Sequence, residues 1–174
     1  MKQTAALTDA LAKRILILDG AMGTMLQSFH FSEQDFRGSV FADHSCNLTG
    51  DNDVLNLTQP GAVLSVHTKY LEAGADIIET NTFNANRFSQ AEYGLAEKVY
   101  ELNRAGAAIA RSAADSFTEL TPGKPRFVAG SIGPTGKTLS MSPSVADPAF
   151  RELTFFELAD AYHEAAAGLL DGGG

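Results

Sequence analysis

The 174-residue sequence is short of cysteine, of basic charge and of long apolar runs. Its one cysteine, Cys46, cannot form an internal disulfide and cannot alone build a thiolate metal cage, so a reducing, cytoplasmic location is expected. Lys and Arg number 13 against 21 Asp and Glu, a formal charge of −8. With no basic cluster, neither nucleic acid nor an anionic membrane surface is expected as a partner. No apolar stretch approaches the roughly 18 residues of a membrane span. Residues 1–14 lack the basic start, apolar stretch and cleavage site of a signal peptide. Internal repeats and low-complexity tracts are absent as well. What remains is an ordinary globular composition, 44% hydrophobic and 20% charged, with a mean hydropathy of −0.06.

Apolar runs and helical periodicities then alternate along the chain. A short amphipathic helix is predicted over Leu7–Lys13, followed by Ile15–Leu18, four apolar residues stopped by Asp19-Gly20. Such a run reads as a strand buried on both faces. Ala21–Gln27 suits a helical turn, and residues 28–59 read as a long polar connection of the kind that carries function. A helix starts at Pro60 and stops at Gly74, and Asp76–Glu79 follows as a second strand. A third helix is predicted over about Leu95–Ser116 and a third strand over Arg126–Ser131. Thr154 and Glu157 form a capping box for a last helix that runs to about Asp171. Strands alternating with helices indicate a parallel α/β sheet. Three strands and a chain that stops at a helix end read as an incomplete domain with a bare sheet edge.

Each predicted strand runs into a polar segment: Asp19-Gly20-Ala21-Met22-Gly23-Thr24, Glu79-Thr80-Asn81-Thr82 and Gly130-Ser131-Ile132-Gly133-Pro134-Thr135. In parallel α/β folds these ends converge on one face. Asp19 and Glu79 suit a ligand ammonium, and backbone N–H groups beside the glycines suit a ligand carboxylate; an amino acid presents both. The same two carboxylates could instead cap the helices that follow them. Ser131–Thr138 differs by one residue from a phosphate-binding loop. Pro134 removes an N–H from that cradle, and Ser140–Pro148 cannot supply its helix. The other singletons read as structural. His44 and Cys46 lack further ligands, Asp51-Asn52-Asp53 lacks the rest of a calcium loop, His67 and His163 sit in helices with no identifiable Asp or Cys partner, and Phe155-Phe156 reads as core.

The three strand-end segments, Leu18–Thr24, Gly74–Asn84 and Val128–Thr135, resemble the homocysteine S-methyltransferase domain. Asp35–Gly38 and Cys46–Asp53 make the chain similar to that domain as it occurs at the N-terminus of cobalamin-dependent methionine synthases. The resemblance implies an α/β fold, the N-terminal portion of a TIM (β/α)8 barrel comprising about three units. Residues 1–174 would then be a partial homocysteine-binding domain truncated before the fourth strand. It further implies methyl transfer to the homocysteine sulfur to give methionine, with zinc and cobalamin as cofactors of the parent enzyme and methyltetrahydrofolate as the methyl source. Homocysteine and downstream folate, cobalamin and reactivation modules would be the partners. The zinc cysteines of that family lie on later strands and Cys46 matches none of them, so no cofactor and no activity are expected of this chain alone. Residue by residue, the resemblance places Asp19, Gly20, Ala21, Glu79, Asn81, Thr82 and Ser131 at the homocysteine pocket, with Asp19 as the amino-group partner. A phosphate-loop nucleotide hydrolase and a non-catalytic α/β module are the alternatives.

Overall fold

The computed structural model describes residues 2–174, and it is helix-rich around a small parallel sheet. In chain order the helices are α1 (Lys2–Leu11), α2 (Met22–Gln27), α3 (Glu33–Arg37), α4 (Leu55–Thr58), α5 (Pro60–Glu72), α6 (Arg87–Ala91), α7 (Val99–Leu120) and α8 (Phe155–Asp171). Strand β1 (Ile77–Glu79) lies between α5 and α6, and β2 (Phe127–Ala129) follows α7. The two strands pair in parallel, with Ile78 opposite Val128. No helix among the described residues is long and apolar enough to cross a membrane.

Local chemistry explains the boundaries. α5 opens on Pro60 and closes at Gly74, whose φ of 109° lets its N–H reach Leu71 O while Ala75 N–H reaches Tyr70 O. That pair of bonds is a Schellman stop, which favours glycine because only glycine takes the left-handed conformation without cost. The chain turns directly into β1. At α8 the capping box forms: Glu157 N–H donates to Thr154 Oγ1 at 3.2 Å, and Thr154 N–H donates to Glu157 Oε2 at 2.7 Å. α8 packs along α7 through small residues. A Cβ on Gly168 would lie 2.6 Å from Tyr100 O, and one on Gly172 2.4 Å from Arg104 O.

Several expectations need correction. The predicted first strand survives as a single parallel bridge, Leu18 to Ile77, and its side chains are not buried on both faces: Ile15 is 85% exposed. Helices α5 and α7 cover one face of the sheet, through Leu71, Ile78, Ala110 and Ala114, and among the described residues no element covers Ile15 and Ile17. Residues 28–59 are not one irregular connection. They hold α3, capped by Ser32 and Asp35, a 3-10 turn at Asn52–Val54, and α4, and they bury Phe36, Phe41, Leu48, Val54 and Leu55. Phe155 and Phe156 are 68% and 77% exposed rather than core, because the first turn of α8 projects past its contact with α7. The first helix ends at Leu11, and α7 runs on to Leu120.

The first segment is held on β1 by one buried carboxylate. Asp76, 1% exposed, accepts two 2.7 Å hydrogen bonds from the Arg14 guanidinium and one of 2.9 Å from Ile17 N–H, and Lys124 Nζ stands 3.4 Å away. The bidentate Arg14 pairing holds its pKa well below the usual carboxylate range, against the opposing effect of burial. Removing Asp76 leaves Arg14 solvated rather than stranded, so the loss lies mainly in the Ile17 N–H bond to a charged acceptor, a type worth about 1.5–3 kcal/mol. Asp76→Ala is therefore expected to lose about 2 kcal/mol in urea unfolding at pH 7. The depressed pKa makes this contribution full above about pH 4 and lost as pH falls below it, so variant and parent should converge in acid. Equal stability at pH 7 would contradict the assignment.

Candidate functional site

The carboxyl-side ends of the three strand segments meet. The first is registered by Asp19 N–H donating to Ile77 O at 2.9 Å. The half-buried Asp19 carboxylate then accepts Glu79 N–H, 3.1 Å from each oxygen. Burial pushes Asp19 up to about 6; the Glu79 N–H opposes the rise and the Glu79 charge adds to it. Tyr70 OH donates to Ala21 O at 3.4 Å and steadies the glycine-containing loop. The second end is tied to the third. Thr82 Oγ1 donates to Ser131 O at 2.8 Å, Ser131 N–H donates to Thr80 Oγ1 at 2.9 Å, and the two threonine hydroxyl oxygens lie 2.6 Å apart.

Between these ends lies a cavity of about 350 Å³, lined by residues 20–23, Asn52, Asp53, residues 79–84 and Ser131. Of the residues expected at a pocket, Gly20, Ala21, Glu79, Asn81, Thr82 and Ser131 line it, and Asp19 stands directly behind, bound to the Glu79 backbone. The lining includes two carboxylates and no Lys, Arg or His. Such a wall favours an ammonium.

Not every lining side chain is free to meet a ligand. Asn81 Nδ2 donates to Asn52 O at 2.7 Å and to Asn56 Oδ1 at 3.2 Å, while Asn56 Nδ2 donates to Asn81 O at 2.7 Å. The Asn81 amide and the Thr82 hydroxyl therefore brace the scaffold, and Glu79 and Asn84 are the exposed polar side chains of the second strand end. Sequence reasoning missed Asn52, Asp53, Phe83 and Asn84. Asp53 is 2% exposed, and its Oδ1 accepts Asn84 N–H at 3.0 Å. Burial, and then the neighbouring Asp51 charge, push Asp53 up to about 7. The available signal was the dense Asn/Asp run at 51–56.

Two other features resolve differently. No helix follows Lys137 until α8, and Lys137 Nζ pairs with Glu152 at 3.1 Å, so the segment resembling a phosphate loop has neither its helix nor a free lysine. The residues present also do not fit a thiolate zinc site. Cys46 is the chain's one cysteine, it lies outside the cavity, and among the described residues no group of three or more His, Cys, Asp or Glu could hold a metal ion.

A parallel α/β protein with an acidic cavity at its strand exits is the class that fold and site define. Residues 16–174 match the homocysteine S-methyltransferase family. The chain belongs to that family. Among solved structures it is similar to the homocysteine methyltransferase MmuM from Escherichia coli. With the metallated form it shares 24% identity at a TM-score of 0.68, covering 96% of this chain and 54% of that one. With the oxidized form the values are 25%, 0.67, 94% and 52%. The chain thus spans about half the length of the structures it matches.

A buried glycine supports the braced site. Gly106 of α7 is buried, and a Cβ there would lie 2.7 Å from both Asn56 Nδ2 and Thr82 Cγ2. Glycine to alanine inside a helix ordinarily gains about 1 kcal/mol. Overpacking of about 1–3 kcal/mol and a disturbed buried amide should reverse the sign. Gly106→Ala is expected to lower the melting midpoint, and a rise would refute the bracing role of the Asn56–Asn81–Thr82 network.

Proposed function

We propose that this chain supplies the homocysteine-holding part of a methyltransferase that acts on the homocysteine sulfur, and that its strands belong to a (β/α)8 barrel. One observation carries the reading: the three strand-end segments that bear the family resemblance surround a single acidic cavity. Glu79, and Asp19 behind it, would neutralise the amino acid's ammonium, and the loop at Gly20-Ala21 lets the ligand approach the backbone. Methylation forms a sulfur–carbon bond as the donor–methyl bond breaks, and the thiol proton must leave. These residues would hold and orient the amino acid, and the described residues form no group of metal ligands, so thiol activation is not assigned to them. By the sequence resemblance, methylcobalamin recharged from methyltetrahydrofolate is the donor, carried on separate modules of the parent enzyme.

Calorimetric titration of the chain with L-homocysteine tests the reading. Asp19→Asn should weaken binding severalfold, because it removes a negative charge standing directly behind the cavity wall. Because Asp19 titrates near 6, it is charged above that pH and neutral below it. Affinity should therefore fall as pH drops through about 6, and the variant should lack that step. Binding unaffected by both the substitution and the pH would remove Asp19 from the site.

A further inference from the structure

Beside the cavity lie two buried polar atoms with no hydrogen-bond partner, Asp51 Oδ2 and Gln90 Oε1. They belong to side chains that are already joined, since Gln90 Nε2 donates to Asp51 Oδ1 at 3.0 Å. Asp51 is 2% exposed and Gln90 is fully buried. An ionised carboxylate only accepts, so it leaves both remaining oxygens without a donor. One proton on Asp51 Oδ2, donated to Gln90 Oε1, would satisfy both and close a ring of two parallel hydrogen bonds. We propose that Asp51 is a neutral carboxylic acid in the folded chain, in a cyclic acid–amide pair with Gln90, and that this pair positions Asn84 at the cavity.

The surroundings favour the neutral form. Asp53, two residues on, is a second buried carboxyl. The Tyr93 phenol and Glu92, from the turn after α6, add no positive charge. Among the described residues no Lys, Arg or His bonds or pairs with either aspartate. The backbone N–H groups of Asp53 and Val54 pull toward ionisation, as does the Gln90 amide, but burial outweighs them and Asp51 is raised. A neutral Asp51 also spares Asp53 a like-charged neighbour, which removes the second cause of the rise in Asp53 and leaves burial, the larger one. Gln90 Nε2 reaches Asn84 O at 3.4 Å, so both backbone groups of this cavity residue are held from the same cluster. The inference does not depend on what the cavity binds.

The test is a carbon-13 titration of the Asp carboxyls in the 174-residue chain, with Asp51 assigned through its backbone. Its carboxyl carbon should resonate as a protonated acid at pH 6 and move to the carboxylate position only at higher pH. A carboxylate position already at pH 6 would overturn the proposal and give the two orphaned oxygens to a trapped water or cation. Stability offers a second readout. Asp51→Asn places an amide donor where the hydroxyl was, so its melting midpoint at pH 6 should stay within about 2 °C of the parent, a small fraction of a domain's stability. Gln90→Leu should lower it by several degrees. The raised pKa means the folded chain keeps a proton that the unfolded chain releases. Its stabilisation is therefore present in acid and lost as pH rises through the folded value, and Asp51→Asn should abolish that loss. Asp51→Asn as damaging as Gln90→Leu, or an unchanged pH profile, would also overturn it.

Discussion

Two aspartates register the first strand segment on β1, and the site depends on that registration. Asp76 grips its entry through Arg14 and Ile17 N–H, and Asp19 closes its exit on Glu79 N–H. Between them Asp76 N–H and Ile77 N–H share Ile17 O, and Asp19 N–H reaches Ile77 O. A one-residue slip would send every side chain to the other face and carry the Gly20-Ala21 loop away from Glu79. The segment has little else to hold it, because its own side chains bury so little. Polar pins at its two ends do the work that packing does for β1.

The same division runs through the molecule. On one face of the sheet, α5 and α7 close over Ile78 with Leu71 and alanines, and α8 lies against α7 at backbone contact. Ile15, Ile17 and Leu18 remain between 49% and 85% exposed. In the proposed barrel these side chains would be covered, whereas a free-standing two-layer domain leaves them in water. The cavity sits where the covered structure ends, braced from behind by Asn56, Asn81 and Thr82.

Much of this was legible from residues alone. Pro60 and Gly74 bounded α5, Thr154 and Glu157 opened α8, and the polar strand ends pointed to one face. The rest depended on distances the chain does not spell out. Ile15–Leu18 has the composition of a buried strand, and only the absence of a covering layer exposes it. The helices within residues 28–59 are short, five residues in α3 and four in α4, too brief for periodicity to register. Asn81 and Thr82 lie at the strand exit, but their polar atoms are spent on Asn52, Asn56 and Ser131, partners distant in sequence. Asp53 reads in sequence as part of a failed calcium loop and becomes a cavity residue only through its contact with Asn84. The family resemblance and the residue reading both grouped the three strand ends.

The central claim is that these three ends form one binding surface for an amino acid. Amide chemical-shift mapping of the nitrogen-15-labelled chain during titration with L-homocysteine tests it most directly. The account predicts saturable shifts confined to residues 19–23, 52–53, 79–84 and 131. Shifts clustered elsewhere, or at one strand end without the others, would contradict it.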